Sequence, residues 1–279
     1  MHARTKLVDL DHWELELAQL KAQYQSAEPY PHILIDNFLF DEIAKSAESE
    51  FPDPRSPEWL HYKHYNEKKL AHSSLEAMPE LLKRIILELN SDRFCRWLGD
   101  LTGIHGLMPD PSLAGGGLHQ MERGGFLNMH ADFTSHPRHE TWARRVNVLI
   151  YLNTGWEDSF GGSLELWDRK MTGCVRSIAP LFNRCVIFNT DRDSFHGLPN
   201  PLTCPDGMTR KSIALYYFTD DGQKAFTQST EYRAAPQDSI GRRALILLDK
   251  LAVRGYDMAK RRLGLQDSFI SRIMRRLGR

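Results

Sequence analysis

The chain predicts a mainly β domain flanked by helices, an α+β arrangement, on three observations. Strand-rich sequence with period-two alternation fills residues 117–220. Apolar residues at helical spacing occupy 5–25 and 78–103 ahead of it, and helical periodicity returns after residue 240. At 279 residues and 41% hydrophobic content, the chain can bury one core and peripheral helices, so a single globular domain is expected.

The elements follow in order. Leu7, Leu10, Trp13, Leu17 and Leu20 fall on one stripe of a first helix. Ile33-Leu34-Ile35, closed by Asp36-Asn37, reads as a strand, and Asp41 is placed to cap the helix after it. Residues 51–74, with three prolines and many polar side chains, read as a loop over the mouth of a site, joined there by His136-Pro137-Arg138-His139. Pro79-Glu80 opens one or two helices that stop at Gly103. In the strand around 145–152, Arg145, Asn147, Leu149 and Tyr151 share one face, and Val146, Val148, Ile150 and Leu152 the other. The aliphatic set is expected between sheets. The polar set is expected inside a barrel, where a ligand would account for burying it. Gly161-Gly162 reads as a tight turn or bulge entering Ser163–Trp167. Val186–Thr190 is a further strand, and Asp191-Arg192-Asp193 a polar turn that delivers His196.

Chemistry concentrates at His130-Ala131-Asp132. On an extended strand, residues i and i+2 point to the same side, so both can touch one ion. His12-Trp13-Glu14 has the same spacing but lies in a helical segment, where i and i+2 do not share a face. His196, 63 residues beyond Asp132, supplies a second imidazole from a distant strand. Two His and one carboxylate form the face that holds non-haem Fe(II) with positions left open. Arg210 and Ser212, two apart on the strand to Phe218, can grip one carboxylate, which the planar guanidinium fork suits. An open iron site beside a dicarboxylate clamp implies O2-dependent oxidation that uses a keto acid.

These residues sit in longer stretches that carry a resemblance. GGGLHQMERGGFLNMHADF (115–133), RRVNVLIYLNTGWEDSFGGSLELWD (144–168), CVIFNTDRDSFHGLP (185–199) and TRKSIALYYF (209–218) resemble the 2-oxoglutarate and Fe(II)-dependent dioxygenases. The order of these parts, with PYPHILIDNFLFDEIA (29–44) and RFCRWLGDLTGIHGLMPDP (93–111), is most similar to the prolyl 4-hydroxylase-like branch. The resemblance implies a double-stranded β-helix (jelly roll) with core about 115–220, inside a dioxygenase domain spanning 1–240.

It implies Fe(II) on His130, Asp132 and His196, and 2-oxoglutarate held by Arg210 with Ser212 and Tyr151. Asn147 and Gln120 are assigned to the co-substrate as well, Gln120 because it stands where some prolyl hydroxylases carry a tyrosine. Arg145 and Trp167 are assigned to the primary substrate, and ascorbate is an accessory reductant. The implied reaction is hydroxylation of an unactivated C–H bond with O2, releasing succinate and CO2. Related halogenases lack a carboxylate where Asp132 stands, which favours hydroxylation. Proline in a protein or peptide is one substrate class the resemblance allows; small molecules, sugars and lipid-linked intermediates are others. Two rivals come from other classes, a non-oxidative cupin-like metal protein and a vestigial scaffold. The first needs no Arg210, and the second would not keep all three ligands.

Charge is lopsided although the chain is neutral overall. Residues 241–279 carry 11 basic and three acidic side chains, a net +8, which leaves −8 on the rest. Leu245, Leu248, Leu251 and Ala252 make an apolar stripe there, and Phe269, Ile270, Ile273, Met274 and Leu277 a second, with breaks expected near Gly255 and Gly264. Such a basic amphipathic tail either docks its apolar face on the barrel or lies on an anionic membrane or an acidic partner. No aromatic interleaving supports nucleic-acid binding. No apolar run approaches the ~20 residues of a membrane span, and the acid-bearing first 20 residues give no expectation of a secretory signal. Cys95, Cys174, Cys185 and Cys204 lack C-x-x-C spacing and read as reduced thiols of a cytoplasmic protein, peripheral to a membrane if the tail binds one.

Overall fold

The computed structural model describes residues 6–263. In chain order the elements are α1 (Leu10–Leu15), α2 (Leu17–Ser26), β1 (His32–Ile35), α3 (Asp41–Ser49), β2 (Leu60–His64), β3 (Glu67–His72), α4 (Glu80–Leu89) and α5 (Asp92–Thr102). There follow β4 (Met108–Pro109), β5 (Gly117–Met121), β6 (Phe126–Ala131), β7 (Trp142–Tyr151), β8 (Leu164–Trp167), β9 (Cys174–Ile178) and β10 (Arg184–Asn189). The chain continues through β11 (His196–Leu198), β12 (Arg210–Asp220), β13 (Glu231–Tyr232) and α6 (Ile240–Leu263).

Local chemistry explains the helix ends. The Asp9 side chain accepts from His12 N and starts α1; Ser91 does the same for α5 through Phe94 N. Gly103, at φ 76°, closes α5 in the left-handed conformation. The first helix is split at Glu16. Asp41 is not a cap: Phe40 holds that position, and Asp41 is the first helical residue, 2.7 Å from Lys45.

The strands pair antiparallel in the order β1-β10-β7-β12-β5-β3-β6-β11-β8-β9. This ribbon curls until its two ends meet. Tyr151, Val186 and Phe188 from β7 and β10 pack against Leu164, Leu166 and Ile178 from β8 and β9. The result is the double-stranded β-helix. Its outer face is covered by helices: Val146, Val148, Ile150, Ile187, Ile213 and Leu215 pack with Leu82, Ile85, Phe94 and Leu98. The aliphatic face of β7 therefore buries against helices, not between sheets. That layer supplies most of the apolar burial and leaves the inner face free for polar groups.

Two segments differ from the sequence reading. Residues 51–74 contain the hairpin β2–β3, whose β3 joins β5 to β6 within the sheet. Helix α6 runs unbroken through Gly255; Gly264 and the stripe at 266–279 lie outside the described residues. It docks by polar contacts. Asp249 takes His64 Nδ1 at 2.7 Å and the Asn66 amide at 2.6 Å, Lys250 pairs with Glu231, and Ile246 fills the seam.

Candidate active site

His130 is the penultimate residue of β6, Asp132 lies just past the strand's end, and His196 opens β11 directly opposite His130 in the ladder. Pairing across antiparallel strands puts both imidazoles on the inner face, their ring centroids 4.4 Å apart. One ligand atom from each of the three residues lies within 4.8 Å of the others, and all three residues are buried. Gly197 makes this approach possible: a Cβ there would sit 2.8 Å from Leu127 O and 3.0 Å from Asn128 O.

Each imidazole is fixed by its far nitrogen. His130 Nδ1 lies 3.0 Å from Asn128 O and His196 Nδ1 2.9 Å from Ser194 O, so both donate there and turn Nε2 toward Asp132. Burial, reinforced by His130, pushes His196 down to about 4 and keeps its ring neutral and able to bind a cation. Burial alone would raise the Asp132 carboxyl, yet the Arg144 guanidinium holds it well below the usual carboxylate range.

Arg144 and Asn147 brace this carboxylate. Arg144 Nη2 and Asn147 Nδ2 each donate to Asp132 Oδ2 at 2.8 Å, and Asn147 Oδ1 accepts from Arg144 Nε at 3.1 Å. The guanidinium lies 3.5 Å from the Tyr216 ring and 4.4 Å from that of Phe133. Its Nη1 is buried without a hydrogen-bond partner among the described residues.

A second cluster forms on the same inner face. Arg210 Nε donates to Gly162 O at 2.8 Å, and its guanidinium lies 4.7 Å from the Tyr151 ring. Gly162, at φ +76°, has a backbone conformation that favours glycine, and a Cβ there would press on Leu202 Cδ2 at 2.6 Å and Arg210 Cδ at 3.1 Å. Ser212 is directly opposite Tyr151 on β7 and His119 on β5. The Tyr151 hydroxyl is buried beside Arg210, and among the described residues it meets no partner in full hydrogen-bond geometry. An orphaned hydroxyl next to a buried cation is an arrangement that a carboxylate completes.

Placement corrects three assignments. Arg145 does not face the interior: it pairs with Thr219 at 2.7 Å and Asp221 at 2.8 Å on the outside. A β-bulge is the reason. Tyr217 opposes Val146 and Phe218 opposes Arg144, so Arg145 is the extra residue and Arg144 takes the inward position. Gln120 pairs with Lys211, shares its outward face, and gives its amide to Thr209 at 2.7 Å. His119 faces inward instead, opposite Ser212, where burial and then the Lys69 charge push it down to about 3. Trp167 follows a second register shift and packs outside with Met129, Ala131 and Phe195, its indole on Glu165 at 2.7 Å. Of the expected mouth residues, His136 is buried and anchored 3.2 Å from Asp110.

The sequence reading also passed over Lys69, Tyr216 and Tyr232. Lys69 on β3 pairs with Glu67 at 2.9 Å and lies close enough to His119 to repel its proton. Tyr232 lies opposite His130 in the ladder, ring centroids 5.6 Å apart, and reaches His64 on its other side.

Comparison with known proteins agrees with this geometry. Residues 116–218 match the family model of the 2OG-Fe(II) oxygenase superfamily. The chain is 26% identical over 199 residues to "Prolyl 3-hydroxylase OGFOD1" of Xenopus laevis, covering 68% of this chain and 35% of that protein. It is 26% identical over 202 residues to the Mus musculus protein of the same name, covering 68% and 33%. The chain thus spans about a third of the length of the curated relatives it matches. Its fold is similar to a prolyl hydroxylase from Trichoplax adhaerens, solved with a hypoxia inducible factor oxygen degradation domain peptide fragment. The TM-score is 0.54 at 20% identity, covering 75% of this chain and 94% of the other. A Pseudomonas putida prolyl-4-hydroxylase superposes with TM-score 0.52 at 16% identity, covering 72% and 99%.

Proposed function

The chain belongs to the 2OG-Fe(II) oxygenase superfamily through residues 116–218, and on that premise we propose that it hydroxylates an unactivated C–H bond, with proline in a protein or peptide as the substrate class. The observation that carries this reading is the pairing of two sites on one inner face. Two imidazoles and one carboxylate converge within 4.8 Å, and the buried Arg210 guanidinium lies 4.7 Å from the Tyr151 ring on the same face. The donor set fits Fe(II), since both Nδ1 atoms are already engaged and Nε2 of each ring faces the Asp132 carboxylate, at 3.7 Å for His130 and 3.4 Å for His196. When bound there, Fe(II) with 2-oxoglutarate supplies O2 activation coupled to decarboxylation, giving succinate and CO2.

The side chains contribute position and exclusion. Arg210, Tyr151 and Ser212 take the far carboxylate and so fix the orientation of the keto acid. Arg144 and Asn147 occupy one oxygen of Asp132 and direct the other to the cation. Phe188, at 4.9 Å from the His196 ring, and Leu166 wall off the inner side against water. The prolyl preference rests on the relatives, whose names identify them as prolyl hydroxylases.

Succinate release measured across proline-containing peptides, free amino acids, sugars and lipid-linked glycans tests the assignment. Turnover dependent on a proline peptide is expected. Turnover with another class alone would move the substrate, and no release with any class, or without substrate, would remove the oxygenase reading.

A further inference from the structure

Helix α6 meets the barrel with the wrong face for an ordinary surface helix. A surface helix of a globular domain normally buries its apolar stripe and leaves its charges in water. Here the seam holds Asp249, Arg242 and Lys250, and among the described side chains of the helix Ile246, at 3% exposed, is the one large apolar residue that is buried. The opposite side carries Ile240 at 87%, Leu245 at 47%, Leu247 at 50%, Leu248 at 61% and Leu251 at 52% exposed. Ala252 and Gly241 are exposed beside them. At 3.6 residues per turn, these positions cover an arc of about 160°.

We propose that this outward face of α6 is a docking surface for an anionic lipid membrane. Two features favour a lipid surface over a second copy of the chain. The arc is far broader than the narrow seam through which two helices pack, and suits a plane better than a groove. Charge points the same way. Exposed Arg243 borders the apolar arc, held by the Asp238 and Pro236 carbonyls, and the segment 241–279 carries a net +8. No described helix is long and apolar enough to cross a membrane, so α6 lies along the surface with its leucines at the level of the headgroups. The contacts that hold the opposite face to the β2–β3 turn and to β13 place the barrel mouth at a fixed orientation to that plane. This proposal is independent of the catalytic reading.

Co-sedimentation of the full chain with phosphatidylcholine vesicles, with and without added phosphatidylserine, tests it. The expected result is binding that needs phosphatidylserine and weakens with added salt. The variant carrying Leu245→Gln, Leu248→Gln and Leu251→Gln, three exposed positions, is expected to keep the thermal melt of the parent and to lose at least about tenfold in affinity. Absence of vesicle binding by the full chain would overturn the proposal, as would equal binding by the variant. Sedimentation of the full chain as a dimer, abolished by the same substitutions and without vesicle binding, would give the face to a second copy instead.

Discussion

Replacing Arg144 with Met removes the group that most offsets the burial of Asp132. The side chain makes three hydrogen bonds, one to Asp132 Oδ2 at 2.8 Å and two to Asn147 Oδ1 at 2.8 and 3.1 Å. It also stacks against Phe133 and Tyr216. Met fills much of the same volume, so the change isolates the charge and its donors. Asp132 Oδ2 then keeps the Asn147 amide at 2.8 Å, with His196 Nε2 at 3.4 Å. Breaking a buried pair by removing one partner costs about 3–5 kcal/mol of stability. Loss of a group that orients a metal ligand costs about 10- to 100-fold in metal affinity. Calorimetric titration with Mn(II), alongside thermal melting in metal-free buffer, reads the two effects separately. Arg144→Lys keeps the charge but loses the planar fork and the stacking, and falls between the parent and Arg144→Met. Metal affinity unchanged in Arg144→Met would show that Asp132 needs no such brace, and the reasoning would fail.

Three further predictions follow from the same geometry. Arg210→Ala is expected to cost about 2–5 kcal/mol of 2-oxoglutarate affinity, roughly 30-fold and upward, with Mn(II) binding unchanged; equal affinity by titration would place the clamp elsewhere. Tyr151→Phe removes a buried hydroxyl that meets no partner in hydrogen-bond geometry among the described residues, so the ligand-free protein keeps or gains up to about 1 kcal/mol while 2-oxoglutarate affinity falls about tenfold or more; a melt lowered by the change would refute this. For pH, His64 sits between Glu67 at 2.9 Å and Asp249 at 2.7 Å, and although burial opposes its proton, the two carboxylates raise it above the ordinary histidine value. A raised folded value means that the stabilisation is complete below the unfolded value of about 6.5 and lost as pH rises through the folded one. Hydrogen exchange of α6 is therefore expected to quicken with that rise beyond its intrinsic base dependence, and His64→Gln to abolish the extra step; an identical pH profile in His64→Gln would refute it.

Much of the site was legible because its determinants are local. His130 and Asp132 share a face by strand periodicity, and Arg210 and Ser212 do so for the same reason. His196 was legible from the turn that delivers it, though its register opposite His130 is a property of the sheet. Arg144 was not legible, because a one-residue bulge reverses inside and outside and leaves no mark in an alternating sequence. Gln120 and His119 differ only in parity, which pairing with Lys211 and Ser212 decides. The hairpin β2–β3 escaped because its inner face carries Glu67 and Lys69, so the apolar alternation that signals a strand is missing. In α6 the apolar stripe was visible, but which side meets the barrel is set by Asp249, His64 and Asn66, which are distant in sequence.

The central claim is that His130, Asp132 and His196 hold Fe(II) next to a carboxylate clamp at Arg210. Anaerobic titration of the protein with Fe(II) and then 2-oxoglutarate, followed by visible absorption, tests it most directly. The account predicts a weak metal-to-ligand charge-transfer band that needs both additions. That band is lost in Asp132→Ala and shifted to higher 2-oxoglutarate concentration in Arg210→Ala. No band in the parent protein, or an equal band in Asp132→Ala, would contradict it.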